Sequence, residues 1–160
     1  MQYDEKFIQF IVLFNVDEDY FECHEVMEEL WLEEGRNTLY QGLLQVAVGL
    51  HHWSNDNYSG AVKLFSAALE KLEGYPAETM GLNLGQVRSD TEAALKPLRR
   101  YVSRAANEAE GATGALGDGR FVAPPFASFK LVMTDPDLLA RTEELAKLPP
   151  EERLHREEEL

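Results

Sequence analysis

Apolar residues recur at the three- and four-residue spacing of an α-helix through most of the chain. Clusters of Asn, Asp, Gly and Pro separate these stretches, as expected where helices begin and end. No stretch alternates apolar and polar residues as a half-buried strand does, so the pattern predicts an all-α fold. The predicted helices span residues 3–14, 19–34, 37–53, 58–73, 86–106 and 136–147.

The composition changes near residue 110. Residues 110–119 contain four glycines and are predicted to form a linker. Residues 120–129 carry a Pro-Pro pair among aromatic residues and are predicted to be extended. The chain of 160 residues has the size of one domain. We therefore expect a helical-bundle domain over residues 1–109, and over 110–160 an extension made of linker, extended arm and C-terminal helix.

Acidic residues dominate the charge of the chain. Twenty-nine Asp and Glu stand against fifteen Lys and Arg, which gives a net charge of −14, and residues 1–34 alone hold eleven acids and one base. Nucleic acids and anionic membranes need a basic surface, so we expect neither as a partner. Two interpretations of the acids stay open: a solvated surface of the halophilic kind, or a cluster around a cation.

The sequence lacks the segments that mark membrane and secreted proteins. No apolar run reaches the roughly 18–20 residues that a membrane span needs. The N-terminus has no basic segment of the kind that begins a signal peptide. Cys23 is the single cysteine, which excludes an intramolecular disulfide and a cysteine-cluster metal site. We therefore expect a cytoplasmic protein.

The second predicted helix carries one carboxylate that separates from the others by helical phase. Most of its glutamates share an outward arc: Glu22, Glu25, Glu29 and Glu33. Glu28 instead lies at the edge of the apolar face, one turn after His24 and one turn before Trp31. We therefore expect Glu28 to point inward, beside His24.

The third predicted helix is apolar nearly all round and is expected to be central and buried. Three of its polar residues fall on one stripe: Gln41, Gln45 and His52. Buried polar groups are costly unless they are paired, so the stripe indicates a network or a site. Gly42 and Gly49 beside it indicate either close packing of a neighbouring backbone or room for a small ligand. Helical phase turns His51 elsewhere.

A short connection at residues 35–37 makes these two helices antiparallel neighbours, so their polar stripes are expected to converge on a buried pocket. We predict that this pocket binds a divalent metal or a small polar ligand. The candidate ligands for Zn²⁺, Mn²⁺ or Fe²⁺ are His24, Glu28 and His52. The candidate ligand-binding side chains are Gln41, Gln45, Trp31 and Tyr20. For an enzyme, metal-assisted hydrolysis with Glu28 or Glu25 as the base is the most economical reaction.

The same residues allow a second interpretation without chemistry. A Gln–His–Glu network that is satisfied by its own members can simply lock the register of two helices. The His-Glu-x-x-His motif of zinc peptidases is incomplete, because Glu28 stands where its second histidine would be. The chain would then be an interaction or scaffold module, whose 110–160 extension docks on a partner or on a second copy to form a homo-oligomer. Spacing alone leaves both interpretations, and the question whether the chain is an enzyme, open.

This region also resembles a known family. A histidine, three residues, a glutamate, two residues and an aromatic form the signature of prokaryotic domain-of-unknown-function family 309, and His24, Glu28 and Trp31 have that spacing. The similarity continues over residues 40–53 and 57–61. In all, it covers about residues 5–75. The resemblance implies a small, partly open helical bundle and a motif suspected of metal binding.

Overall fold

The computed structural model describes residues 3–111 and 122–155. It confirms the all-α fold, to which this part of the chain adds a two-stranded hairpin. The elements are α1 (Glu5–Val12), a π-helical turn (Leu13–Asp17), α2 (Tyr20–Glu33), α3 (Thr38–Ser54), α4 (Tyr58–Leu72), β1 (Glu78–Thr79), β2 (Leu82–Asn83), α5 (Leu84–Gly111), α6 (Pro136–Ala146) and α7 (Pro150–His155). None of the helices in the described ranges is long and apolar enough to cross a membrane.

Short polar side chains begin most of these helices. Each accepts a hydrogen bond from a backbone N–H of the first turn, which leaves fewer unpaired donors at the helix end. These capping residues are Asp4, Asp19, Asn37, Asn57 and Asp135. Because such caps are local signals, α2, α3, α4 and α6 begin and end within one residue of the prediction.

The first predicted helix is divided in two, which the periodicity did not indicate. α1 passes into the π-helical turn, and the turn ends at Glu18, whose φ of 50° lies in the left-handed region. That conformation is costly for a residue with a side chain and persists only where surrounding contacts hold it. Glu18 receives such contacts from Ser128 and Lys130, which are distant in sequence.

The first residues of the predicted linker are helical in the structure. α5 continues to Gly111, into the residues predicted as a linker. The rest of that predicted linker, with the first residues of the predicted arm, lies outside the described residues. The division into domains at 1–109 and 110–160 therefore stays a prediction.

The hairpin at β1 and β2 is the element that the sequence pattern missed. Each strand has two residues, which is too short for an alternating pattern to be read. Met80 and Gly81 connect them with φ values of 52° and 77°, the positive angles that a tight two-residue hairpin turn requires. Leu82 forms a further bridge with Met133, so the hairpin meets the C-terminal extension.

α3 lies at the centre of the bundle, packed between α2 and α4. A Cβ atom added at Gly42 would lie 2.6 Å from the Leu72 side chain, and one added at Gly49 would lie 2.5 Å from the Phe65 ring. Both contacts are shorter than van der Waals packing allows. Of the two roles left open for these glycines, close packing against α4 is therefore the one they have.

Residues 122–133, which we call the arm, lie on the helices of their own chain. Trp53 donates a hydrogen bond from Nε1 to the Pro124 carbonyl at 3.0 Å. The Phe126 ring packs edge-on against the rings of Tyr20 and Trp53, with ring centres 6.3 and 5.2 Å apart. The arm thus covers one end of α2 and α3, next to the candidate site.

The charged C-terminal region is docked on α1. Arg153 is only 7% exposed, pairs with Asp17, and donates to the carbonyls of Leu148 and Ala146. Gln9 donates in turn to the Arg153 carbonyl at 3.0 Å. A buried guanidinium needs such partners, because an unpaired charge in the interior is strongly destabilising.

Candidate functional site

A cleft opens between the first turns of α2 and the last turns of α3. Its walls are Tyr20, Phe21 and His24 from α2, and Val48, His51 and His52 from α3. Its volume is about 200 Å³, below the roughly 300–1,000 Å³ of sites for drug-sized molecules. The structure thus brings together three of the predicted residues, Tyr20, His24 and His52, in a cleft suited to a small molecule.

His24 lies between two carboxylates of its own helix. Its Nδ1 is 3.3 Å from Glu25 Oε1, and its Nε2 is 3.0 Å from Glu28 Oε2. The prediction that Glu28 points inward is wrong, because the Glu28 side chain is 49% exposed. The carboxylate stays at the surface since full burial would remove the water that stabilises its charge. The predicted buried pocket is accordingly a surface cleft with an acidic rim.

His52 contacts a helix cap on its other side. Its Nδ1 lies 3.2 Å from Nδ2 of Asn57, the residue that caps α4. Burial lowers the pKa of His52, and the adjacent His51 lowers it further. Both effects favour the neutral imidazole of His52. Its charged form would lose hydration and would be repelled by positive charge on His51.

His51 is a cleft residue that the helical phase misplaced. Its ring lies 5.8 Å from the Phe21 ring and 6.1 Å from the His52 ring, measured between ring centres. Phe21 itself is 56% exposed at the mouth of the cleft. The sequence analysis overlooked Phe21. The available signal was its position, because an exposed aromatic residue in the first turn of an amphipathic helix is unusual.

The Tyr20 side chain is buried beside the cleft, and its hydroxyl lacks a hydrogen bond to any described residue. Burial raises the pKa of Tyr20 to about 12. Ser128 opposes that rise, but its own hydroxyl donates to Glu18, and no hydrogen bond of normal geometry joins it to Tyr20. A buried hydroxyl without a partner is destabilising. The groups that act on this one, Ser128 and Glu18, lie outside the lining of the cleft.

The other predicted ligand-binding residues do not line the cleft: Gln41, Gln45 and Trp31. Gln45 Oε1 and Trp31 Nε1 are buried, and each lacks a hydrogen-bond partner within the described part of the chain. Trp31 is covered instead by the Arg36 guanidinium, 5.2 Å from the centre of its ring.

The predicted metal centre finds no support in the arrangement of its ligands. Among residues 3–111 and 122–155, no group of three or more His, Cys, Asp or Glu side chains is placed to hold a metal ion. The partners explain this: both His24 nitrogens face carboxylates of its own helix, and Asn57 occupies one nitrogen of His52. Metal-assisted hydrolysis therefore has no structural support either.

Cys23 is not a nucleophile of this site. It is fully buried, and its Sγ lies 3.6 Å from the Phe10 carbonyl. Burial raises the pKa of the thiol, and nearby carboxylates, of which Asp19 has the largest effect, raise it further. The reactive thiolate is therefore disfavoured at neutral pH.

Comparison with known proteins places the cleft inside a matched region. Residues 7–64 match the family described as Domain of unknown function (DUF309), which confirms the resemblance seen in the sequence. Uncharacterized protein YpuF of Bacillus subtilis (strain 168) is 36% identical over 90 residues, which are 53% of this chain and 52% of that protein. An uncharacterized protein of Aquifex aeolicus (strain VF5) is 30% identical over 80 residues, 48% of this chain and 24% of that protein. The chain thus matches about half of one relative's length and about a quarter of the other's.

Proposed function

We propose that this chain, whose residues 7–64 belong to the DUF309 family, binds a small, flat, polar molecule in the cleft between α2 and α3. One observation carries the proposal: the cleft gathers three imidazoles, the exposed Phe21 ring and an apolar wall in one small space.

The walls of the cleft favour a flat ligand. Phe21 and His51 offer ring faces at its mouth, and Val48 offers an apolar wall. Aromatic rings pack best against other planar groups in stacked or edge-on geometry. A heteroaromatic or aromatic amide would cover the exposed Phe21 ring and still present polar atoms to the imidazoles.

The charge around the cleft disfavours an anion. Glu25 and Glu28 stand at its rim, in the segment that holds eleven acids and one base. The summed negative field raises the local concentration of cations and lowers that of anions. The ligand class is accordingly a neutral or cationic molecule. This proposal concerns binding alone and assigns no reaction.

Three aromatic probes of one shape test the proposal: benzamide, benzamidinium and benzoate. They share a planar ring and differ in the charge of the head group. We expect benzamide or benzamidinium to shift the imidazole NMR signals of His24, His51 and His52, and benzoate to bind least. If none of the probes shifts these signals, or if benzoate binds best, the proposal is wrong.

The variant Phe21→Ala should weaken binding of the better probe several-fold, because the stacking surface is lost. Leu32→Ala is the matched control, since Leu32 is a 49% exposed apolar residue on the same helix that does not line the cleft. Equal loss of binding in both variants would contradict the location of the site.

The alternative function, a module without a ligand whose polar cluster only sets helix packing, has support of its own. His24 has partners on both ring nitrogens, and one His52 nitrogen has one too. Under this alternative, His24→Ala lowers stability and every probe fails to bind.

Assembly through the 110–160 extension, halophilic adaptation and a cytoplasmic location stay predictions. Light scattering tests the first of them, and a monomer would contradict it.

A further inference from the structure

Asn57 makes two different contacts with the two halves of its side-chain amide. Its Oδ1 accepts a hydrogen bond from the Gly60 N–H at 3.0 Å and so caps α4. Its Nδ2 lies 3.2 Å from His52 Nδ1. The opposite orientation of the amide would set its NH₂ group against the N–H of Gly60, donor against donor. The helix cap therefore decides which end of the amide faces His52.

The backbone around Asn57 holds this geometry in place. The Asn57 N–H donates to the His52 carbonyl at 2.8 Å, so the two residues are joined through main chain and side chains. Gly60 leaves the room that the amide occupies: a Cβ at that position would lie 2.6 Å from Asn57 Nδ2. The contact with His52 is thus built by three positions and is not the chance approach of two surface side chains.

An amide NH₂ group can only donate, so His52 Nδ1 has to accept. A neutral imidazole that accepts at Nδ1 carries its proton at Nε2. His52 lines the cleft, and its Nε2 has no hydrogen-bond partner among the described residues. Burial of the ring, which lowers the pKa of His52, agrees with a neutral side chain.

We infer that Asn57 holds His52 as the Nε2–H tautomer, so that His52 donates a hydrogen bond and the cleft selects a ligand with a neutral acceptor such as a carbonyl oxygen or ring nitrogen. The ligand part of this inference rests on the proposed function. The tautomer part stands on the contacts of Asn57 alone. Asn57 is a positioning residue, since it acts on the ligand through His52.

The tautomer is measured by ¹⁵N NMR of the imidazole nitrogens in the protein without any probe. We expect a pyridine-type Nδ1 and a pyrrole-type Nε2 for His52. In Asn57→Asp, the carboxylate can still cap α4, because Asp and Asn are about equally good caps. It offers an acceptor to Nδ1, so at a pH where the ring is neutral its proton should move from Nε2 to Nδ1. Asn55→Asp is the control, since the Asn55 side chain bonds to His51, with Nδ2 3.5 Å from His51 Nδ1, and reaches His52 only through the backbone N–H.

A wild-type His52 with its proton on Nδ1, or an Asn57→Asp variant with an unchanged spectrum, would overturn the tautomer assignment whether or not any probe binds. Gly60→Ala gives a second check, because its Cβ displaces the Asn57 amide. That variant should show a mixture of His52 tautomers, and an unaltered Nε2–H form would count against the role of Asn57.

Benzamide tests the ligand part. It carries a carbonyl acceptor, whereas benzamidinium carries only donors. We expect benzamide to bind more tightly than benzamidinium, and Asn57→Asp to weaken benzamide binding about two- to tenfold, the value of one hydrogen bond. If benzamidinium binds more tightly, the cleft binds ligands but the acceptor class is wrong. If the tautomer is as expected and neither probe binds, the proposed function fails and the tautomer assignment survives.

Discussion

The side-chain amide of Asn15 pairs with the backbone of Leu131 on both sides. Nδ2 donates to the Leu131 carbonyl at 2.9 Å, and the Leu131 N–H donates to Oδ1 at 2.8 Å. The amide thus satisfies the donor and the acceptor of one arm residue, as a neighbouring strand would. Asn15 lies in the π-helical turn, a helix type that is often found at functional positions.

Asn15→Asp should release the arm. The carboxylate retains one contact but sets a negative oxygen against the Leu131 carbonyl, so we expect a loss of about 2 kcal/mol in the free energy of unfolding. Hydrogen exchange of residues 122–133 should rise more than that of α3. Asn107→Asp, an exposed change on α5, is the control and should alter neither quantity. Unchanged exchange in the arm would contradict the role of Asn15.

The two glycines of α3 should differ in their tolerance of a methyl group. Gly49→Ala meets the fully buried ring of Phe65, while Gly42→Ala meets the end of the more flexible Leu72 side chain. Overpacking costs about 1–3 kcal/mol, against a gain of about 1 kcal/mol in helix propensity. We expect Gly49→Ala to destabilise by about 1–2 kcal/mol and Gly42→Ala by less. Urea unfolding measures the free energy of unfolding of both variants. A larger loss in Gly42→Ala than in Gly49→Ala would show that α4 adjusts to the added methyl group more readily at Phe65 than at Leu72.

Removing the Tyr20 hydroxyl should separate stability from binding. Since that hydroxyl is buried without a hydrogen-bond partner in the described chain, Tyr20→Phe should raise the free energy of unfolding by about 1 kcal/mol. The same change should leave binding of benzamide unaltered, because the hydroxyl is sealed from solvent and lies near Ser128 and Glu18, outside the cleft lining. A loss of stability would mean that the hydroxyl is already satisfied in the free protein.

Tyr3→Phe is the matched control for that change. Tyr3 is also 5% exposed, but its hydroxyl donates to the Asp135 carboxylate. A hydrogen bond to a charged group contributes about 1.5–3 kcal/mol, so this variant should lose stability by that amount. Thermal unfolding of the two variants side by side gives the comparison.

Protonation of Glu18 should account for part of the loss of folding stability in acid. A hydrogen bond from Lys130 is the main cause that lowers the pKa of Glu18 below its ordinary value, and one from Ser128 adds to it. A carboxyl whose pKa is lower in the folded state stabilises the fold above its ordinary pKa, and that contribution is lost as the pH falls through the folded value. The loss should therefore begin below about pH 4.5.

Lys130→Met should flatten this part of the pH profile. The side chains are 50% and 41% exposed, so the effect should be small, at most about 1 kcal/mol. Lys147→Met, which removes an exposed pair with Glu144 away from the arm, serves as the control. A profile that is equally steep in wild type and Lys130→Met would contradict the assignment to Glu18.

Most helix boundaries could be predicted from the sequence because local chemistry decides them. Asp19, Asn37 and Asn57 cap their helices with their own side chains, and Gly35 adopts the positive φ that follows α2. Besides α5, which runs beyond its predicted end, the exception is the π-helical turn. Contacts with arm residues more than 100 positions away support it, and no local pattern records them.

The candidate site could be predicted only in part. Helical phase placed His24 and His52 toward the seam between α2 and α3, and both line the cleft there. It misjudged Glu28 and His51, since the depth of a side chain at the edge of a helix face depends on how far the neighbouring helix lies from it. Helical phase gives the direction in which a side chain points around its own helix axis. It contains no information about the distance to the neighbouring helix.

The sequence by itself determined the all-α fold, the boundaries of its capped helices and the DUF309 resemblance, because each rests on residues close together in the chain. Only the tertiary structure decided that the acidic residues beside His24 stay at the surface, that three imidazoles share one cleft, and that the arm covers its end. These features depend on the separation of packed helices and on contacts between distant segments, and no stretch of sequence contains either.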